Sequence, residues 1–529
     1  MEPHSAPKTA SDESEKQEAL VAAFTAGSVV GAPYPIIRVD THLSHVFLAG
    51  DLAFKLKRAV RLPFADFESC EARRVACEAE LAVNASLAGS LYLDVRPVTR
   101  ATDGGFCIGG GGKVIDWVVA MRRFDQSDQF DQLARAGKLT HALIEGAVDV
   151  VAGAHTAAPA NLLVGHSADY RHVIQGLRQT EEHGAARLGL HAASPLLFER
   201  LDFELTHVSE LIERRRRQGR VRRGHGDLHL RNICLFQGDP TPFDALEFDA
   251  RLATTDVIYD VAFLLMDLRR IGLAAHANAA MNRYWDIANE HETALALIPF
   301  FMALRAAVRM AVAVEAGELT EAKTYRALSL DLLERRRPVV LAIGGLSGVG
   351  KSAVAKAVAP RLPGPAGARL LRTDILRKRR ANLRLDEKAG EKIYAPERRA
   401  EVYREMATRA AAALHAGASV LADATFQDGP TRDLIASAAQ GARFHAYWLE
   451  APLSVRITRV SSRLGDASDA SATVAAAQQE PRDLPALWRR VDATRPVDMV
   501  VADILRDLAL GNDHDVVSGE QPTRPKGHR

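Results

Sequence analysis

The sequence predicts two domains, an α+β domain followed by a parallel α/β domain, and three observations carry that reading. The chain has 529 residues, too many for one core when single domains run to about 100–250 residues. In the second half an apolar run at 339–343 leads into Gly345-Leu346-Ser347-Gly348-Val349-Gly350-Lys351-Ser352 and then an apolar-faced stretch at 353–358. That order is buried strand, glycine loop, helix. In the first half short alternating runs precede long helical ones, the pattern of a sheet with its helices set apart. Glu334-Arg335-Arg336-Arg337-Pro338 joins the halves with no Gly/Ser linker, so touching domains are expected. The expected extents are 17–330 and 335–510, flanked by irregular segments at 1–16 and 511–529.

Charged residues make up 25% and hydrophobic ones 47% of the chain, with a formal net charge of +2. This ordinary globular balance gives no sign of nucleic acid as a partner. The four cysteines, Cys70, Cys77, Cys107 and Cys234, form no C-x-x-C pair, so neither a disulfide framework nor a zinc site is implied and a reducing cytoplasm is expected. The polar start lacks the apolar core of a secretory signal. The most apolar stretch, 294–314, carries Pro299, Arg305 and Arg309. Each central arginine would cost about 2.5–3.5 kcal/mol in a bilayer, so a core helix is expected and no membrane.

In chain order, runs at 45–48 and 52–57 flank Ala49-Gly50-Asp51, a hairpin signal. Alternation puts Phe54 and Leu56 on one face and Lys55 and Lys57 on the other, which alone would suit a solvated face. A helix is expected at 67–87, carrying Glu71, Glu78 and Glu80. The six glycines of 104–112 suit a hairpin tip, since no helix follows them. A strand at 114–121, interrupted by Asp116, leads to Arg122-Arg123-Phe124-Asp125 as a hinge. From 131 to 217 the pattern is helical, with breaks near Pro159 and Pro195, and His155 is expected to be structural. Seven arginines between Glu213 and Gly224 read as a solvated helix end or as an anion-steering patch.

His225-Gly226-Asp227-Leu228-His229-Leu230-Arg231-Asn232 follows. A carboxylate and an amide five residues apart on one loop can serve a phosphoryl transfer: Asp227 accepts the proton of an attacking hydroxyl, and Asn232 ligates the Mg²⁺ that bridges ATP phosphates. The acidic run Phe243-Asp244-Ala245-Leu246-Glu247-Phe248-Asp249 should supply a second metal carboxylate. This loop and run resemble those of the aminoglycoside phosphotransferase and protein-kinase-like family, whose pattern is H-G-D-x-x-x-x-N followed by I-D-F/W. The resemblance implies a bilobal protein-kinase-like domain with a hinge near residues 121–124. It also implies Lys55 as the phosphate-contacting lysine and Glu80 as its partner, with Lys57 and Glu78 as alternatives. Glu stands where the family has Asp. Glu247 is the expected ligand and Asp244 the alternative; in a regular strand residues 244 and 247 point to opposite faces, so only one can face Asn232.

In the second half Gly345, Gly348 and Gly350 let successive N–H groups face phosphates, Lys351 reaches the outer oxygens and Ser352 can hold Mg²⁺. Further strands are expected at 369–373, 419–422, 444–449 and 497–501, which with 339–343 gives a parallel five-stranded sheet. Asp374 and Asp423 end two of these strands, the first as a substrate-facing carboxylate or a helix cap, the second as a carboxylate acting on Mg²⁺. Arg456, Arg459 and Arg463, followed by a loop at 466–471, suit a lid over ATP or a solvated basic face. Arg372-Thr373-Asp374-Ile375-Leu376-Arg377 and Ala422-Asp423-Ala424-Thr425-Phe426 resemble the small P-loop kinases, such as gluconate kinase, polynucleotide kinase and the zeta-toxin group. That likeness implies Asp374 as a base and Arg459 as a nucleotide contact.

Together the halves resemble a bacterial fusion family, an aminoglycoside-phosphotransferase-like domain followed by an AAA-type P-loop ATP-binding domain. What this implies is a two-site ATP-dependent phosphotransferase acting on a small hydroxyl compound. The alternatives are a regulatory ATP-binding protein with one weak half, and a polynucleotide or nucleotide-sugar kinase activity in the second half.

Overall fold

The computed structural model describes residues 12–62, 65–187, 195–385, 387, 395–439, 441–461, 472–481 and 483–513. Arg463 and the expected loop at 466–471 lie outside them. The chain divides into two compact units, Met1–Ile271 with Phe300–Asp331, and Gly272–Pro299 with Leu332–Arg529.

The first unit begins with a helix, Asp12–Thr25, so residues 12–16, expected to be irregular, are helical. Its sheet runs in the order Ile36–Asp40, Ser44–Ala49, Leu52–Lys57, Lys113–Arg122, Tyr92–Arg100, Phe106–Ile108, with every neighbouring pair antiparallel. Alternation sets its two faces. Phe54 and Leu56 pack with Phe47, Val118 and Leu20, Val21 and Phe24 of the first helix, and Phe24 stacks on Phe47 with ring centroids 4.2 Å apart. Lys55 and Lys57 turn to the other face, where the helix Cys70–Ala88 packs, and they are buried rather than solvated. Asp116 interrupts its apolar strand because it accepts Arg73 Nε at 2.8 Å and Gln17 Nε2 at 2.9 Å. A short helix, Phe130–Arg135, and long ones at His141–Ala157, Ser167–Arg187, Leu196–Arg217, Val257–Arg270 and Leu297–Ala316 follow. The last of these is long and apolar enough to cross a membrane by composition, but it is largely buried within the fold.

The second unit holds a parallel sheet in the order Arg369–Arg372, Val420–Asp423, Val339–Gly345, Arg443–Glu450, Trp488–Asp492. The fifth strand is not at 497–501. That segment opens the helix Val497–Asp513, which buries Val500, Val501 and Ile504 against Val339, Leu341 and Ile343. Spacings of one, three and four are those of a helix face. The true strand, Trp-Arg-Arg-Val-Asp, is an edge strand with mostly exposed side chains, so it carries little apolar signal.

The opposite edge is covered by the helix Ala274–Ile287, which belongs to this unit. Asn282 Oδ1 accepts the Leu370 N–H at 2.7 Å, while Asn278 Nδ2 donates to Ala368 O at 2.9 Å. Arg369, fully buried, pairs with Asp286 at 2.6 Å and Glu292 at 3.3 Å. Side chains thus satisfy backbone groups of an edge strand that would otherwise be open.

Candidate functional site

In the first unit a chain of charges converges on one side of the sheet. Ser69 caps the helix Cys70–Ala88 by accepting the Ala72 N–H. Glu80, about three turns on, is completely buried. Its Oε1 accepts Lys55 Nζ at 2.8 Å, and its Oε2 pairs with Lys57. Lys55 also pairs with Asp244, and Lys57 with Glu247. Both candidate lysines therefore meet Glu80, whereas Glu78 is exposed and pairs with Arg74 at 2.6 Å. Burial alone would neutralise these groups. Their mutual attraction outweighs it, raising both lysines and holding Glu80 well below the usual carboxylate range.

The regular strand expected through residues 244 and 247 is absent. The strand Asp239–Pro242 ends before either acidic residue, and Asp244 adopts a left-handed φ of 61°. No ladder exists to send residues 244 and 247 to opposite faces, and both carboxylates reach the lysine pair. Glu247 is 5% exposed and occupied by Lys57, while the Asp244 side chain is 38% exposed. Asp244 also directly follows Phe243, whose N–H bonds the Asn232 carbonyl at 2.9 Å. Asp244 is the more exposed of the two carboxylates.

The loop 225–232 is held from beneath. Asp260 accepts the N–H groups of His225 and Gly226, each at 2.8 Å, and lies 3.0 Å from His155 Nε2. Gly226 has φ 82°, and a Cβ there would sit 2.9 Å from Leu246 Cβ, so the turn requires glycine. Asn232 Nδ2 donates to Asp227 O at 3.0 Å and Oδ2 at 3.1 Å. His229 Nε2 lies 3.3 Å from the same Oδ2, on a carboxylate side chain that is 40% exposed. Burial pushes the Asp227 carboxyl up, but the His229 charge outweighs it and holds the group below its ordinary range, raising His229 in turn.

An apolar cluster adjoins these groups. Ala53 and Met121 from the sheet pack with Val39, Val46, Phe124 and Phe243, and the last two rings meet edge-on at 5.2 Å. A cavity of about 420 Å³ opens at the hinge, lined by Ile37, Leu48, Gly50 and Phe124 among others.

In the second unit the carboxyl ends of three strands meet, with Asp423 in register with both Ile343 and Arg372. Gly345, Gly348 and Gly350 all have positive φ, and a Cβ on Gly345 would lie 2.7 Å from Leu449 O. Lys351 Nζ donates to Leu346 O at 3.0 Å, and Ser352 Oγ donates to Asp423 Oδ2 at 2.6 Å. Arg459 donates to Val349 O and Ala493 O, both at 2.9 Å. Asp374 lies in the first turn of the helix Thr373–Arg380 and pairs with Arg377 at 2.8 Å.

Residues 340–485 match the AAA domain family. The chain is also 29% identical over 475 residues to the uncharacterized protein Rv2004c of Mycobacterium tuberculosis, covering 85% of this chain and 90% of that protein. Among solved structures it is similar to a gluconokinase from Sinorhizobium meliloti 1021 (TM-score 0.25, 22% identity, 35% of this chain and 100% of that one). It is also similar to a choline/ethanolamine kinase family protein from Mesorhizobium loti (TM-score 0.38, 12% identity, 60% of this chain and 95% of that one).

Within the AAA domain match two residues went unread in the sequence. Arg372 Nη2 donates to Ser352 Oγ at 3.1 Å, and its Nε lies 3.4 Å from Asp423. Gln478 Oε1 accepts the Ser347 N–H of the phosphate loop at 2.6 Å. In the first unit Asp260 was missed as the loop anchor, and His155, expected to be structural, supports it. An Asp opening one apolar helix and a His closing another were the available signals. Several of the clustered arginines prove structural: Arg215 forks onto Asp256 at 2.7 and 2.9 Å, and Arg222 caps the carbonyls of His155, Thr156 and Ala158.

Proposed function

We propose that the protein is an ATP-dependent phosphotransferase with two nucleotide sites, the first of which phosphorylates a small hydroxyl compound. The observation that carries this reading is the convergence of Lys55, Glu80 and Asp244 on one cluster, with Asp244 adjoining the Asp227–Asn232 loop. Lys55 would hold ATP phosphates, the apolar cluster of Ala53, Met121, Phe124 and Phe243 would take the base, and Asp244 with Asn232 would hold Mg²⁺. The hard oxygen donors of that pair fit such an ion, which would neutralise charge building on the phosphates. Asp227, kept ionised by His229, would accept the proton of the acceptor hydroxyl as its oxygen bonds the outer phosphorus and the bond to ADP breaks.

In the second unit the loop N–H groups, Lys351 and the Ser352–Asp423 pair form a donor set that suits a second Mg-ATP. Arg459 braces the loop through its carbonyl contacts, and Asp374 is the candidate base. The test is ADP release by the full chain across a panel of hydroxyl compounds, comparing Asp227→Asn with Lys351→Ala. Turnover lost only in Asp227→Asn supports the first site as the chemical one. Turnover that survives both substitutions would sink the reading.

A further inference from the structure

At the carboxyl edge of the second unit's sheet a guanidinium lies on the two groups that would hold Mg²⁺. Arg372 is the last residue of its strand and stands in register with Asp423 on the neighbouring parallel strand. Register neighbours in a sheet point to the same face, so the strand pairing itself sets this arginine beside the carboxylate. Arg372 Nη2 donates to Ser352 Oγ at 3.1 Å, and its Nε lies 3.4 Å from Asp423 Oδ2. Those two oxygens are 2.6 Å apart, joined by the serine hydrogen. Both Arg372 and Asp423 are buried.

Other cations at the phosphate loop make different contacts. Lys351 Nζ donates to Leu346 O and Arg459 Nη1 to Val349 O, while Arg456 Nη1 donates to Ala475 O at 3.0 Å. Those contacts brace main-chain carbonyls, whereas Arg372 meets the side chains a metal would use. A guanidinium stays charged at any working pH, and its planar fork can serve a carboxylate and a hydroxyl together. The consequence is electrostatic. With Arg372 in place the charge of Asp423 is countered, so it repels nucleotide phosphates less, and a divalent ion on the same oxygens would lie beside a fixed like charge.

Building on the reading of the second unit as a nucleotide site, we propose that Arg372 acts there as a resident cation in place of Mg²⁺, so that this site binds a nucleoside triphosphate with little dependence on the metal. The Ser352–Asp423 pair suits the ion chemically; Arg372 reduces what the ion adds.

The full-length protein is dialysed to equilibrium against AMPPNP, once with saturating Mg²⁺ and once with EDTA, and Lys351→Ala identifies the nucleotide bound by the second unit. In the parent the affinity of that site should differ less than tenfold between the two conditions. In Arg372→Met the metal-free affinity should fall, widening the ratio at least tenfold over the parent. A ratio that Arg372→Met does not widen to that extent overturns the proposal, including a loss of affinity equal in both conditions, which marks a structural role. A parent ratio of tenfold or more overturns it as well, and that measurement stands even if Arg372→Met does not fold. Lys351-dependent binding with such a metal requirement leaves the second site standing and removes only the role of Arg372. If no bound nucleotide depends on Lys351, the second site falls and the proposal with it.

Discussion

The two candidate nucleotide sites are built in opposite ways. In the second unit eight consecutive residues, 345–352, form the candidate phosphate cradle, and Asp423, Arg372, Gln478 and Arg459 reach it from other segments. In the first unit the cluster is assembled across the chain: Lys55 meets a carboxylate 189 positions away in Asp244 and another 25 away in Glu80. A cradle made from backbone N–H groups needs only the local turn and its glycines. A cradle made from side-chain charges needs tertiary structure to bring the partners together and burial to strengthen them. The first site should therefore be sensitive to single charge removals at many positions, and the second to few.

The largest expected effect tests which construction performs chemistry. Asp227→Asn should lower phosphoryl transfer by about 10² to 10⁴ while nucleotide affinity is retained, because the substitution removes a base without touching the phosphate contacts. Steady-state ADP release alongside a fluorescent-nucleotide titration checks both halves of that statement. Undiminished turnover would make the first site regulatory.

Arg369→Met comes next. It leaves Asp286 buried without this cation, while Glu292 keeps Arg409 at 2.8 Å, and breaking a buried pair in this way costs about 3–5 kcal/mol. Denaturant unfolding of the full chain should show the second unit melting early. A transition that does not move would mean that the helix Ala274–Ile287 contributes nothing to this sheet's stability.

Lys351→Ala should weaken nucleotide binding in the second unit by about 1.5–3 kcal/mol, the worth of a charge-assisted phosphate contact. Equilibrium dialysis reads this as loss of one of two bound nucleotides. The paired comparison of Asp244→Asn with Glu247→Gln sharpens the first site. Asp244→Asn should depress Mg-dependent nucleotide binding more, because Glu247 is engaged with the buried Lys57. The opposite order would restore Glu247 as the metal ligand.

These contrasts explain what was legible in the sequence. The phosphate loop and the 225–232 loop could be read because their chemistry is written in residues a few positions apart. Lys55 and Lys57 were placed on one face by alternation alone, yet their solvation could not be read, since Glu80 and Glu247 that bury them come from distant segments. The two-residue period expected to separate Asp244 from Glu247 fails because Asp244 is left-handed and no strand runs through both. The fifth strand was misread because a polar edge strand offers no apolar run, while the Val-rich helix beside it does. The helix Ala274–Ile287 gave no sign that it would cover the sheet of the later unit, since asparagine side chains capping an edge strand follow no local pattern.

The smallest expected effect concerns pH. Burial by itself would raise Glu80, but Lys55 and Lys57 together lower it from an ordinary 4.5 to about 2. A carboxylate depressed in the folded state contributes stability that is fully present above its unfolded value and is lost as pH falls toward the folded one. The first unit should therefore lose this contribution between about pH 4.5 and 2. Lys57→Met removes one of the two cations, so Glu80 would protonate at higher pH and the acid transition should shift upward. Glu247, pushed up by burial and held only in part by Lys57, works the other way, because a carboxylate raised in the folded state favours folding as pH falls. Circular dichroism of the full chain from pH 7 to 3, comparing Lys57→Met with the parent, reads this directly. An acid midpoint that stays where it was would show that Lys55 alone suffices to hold Glu80 ionised, and the first site would then depend on a single pair, closer in economy to the second.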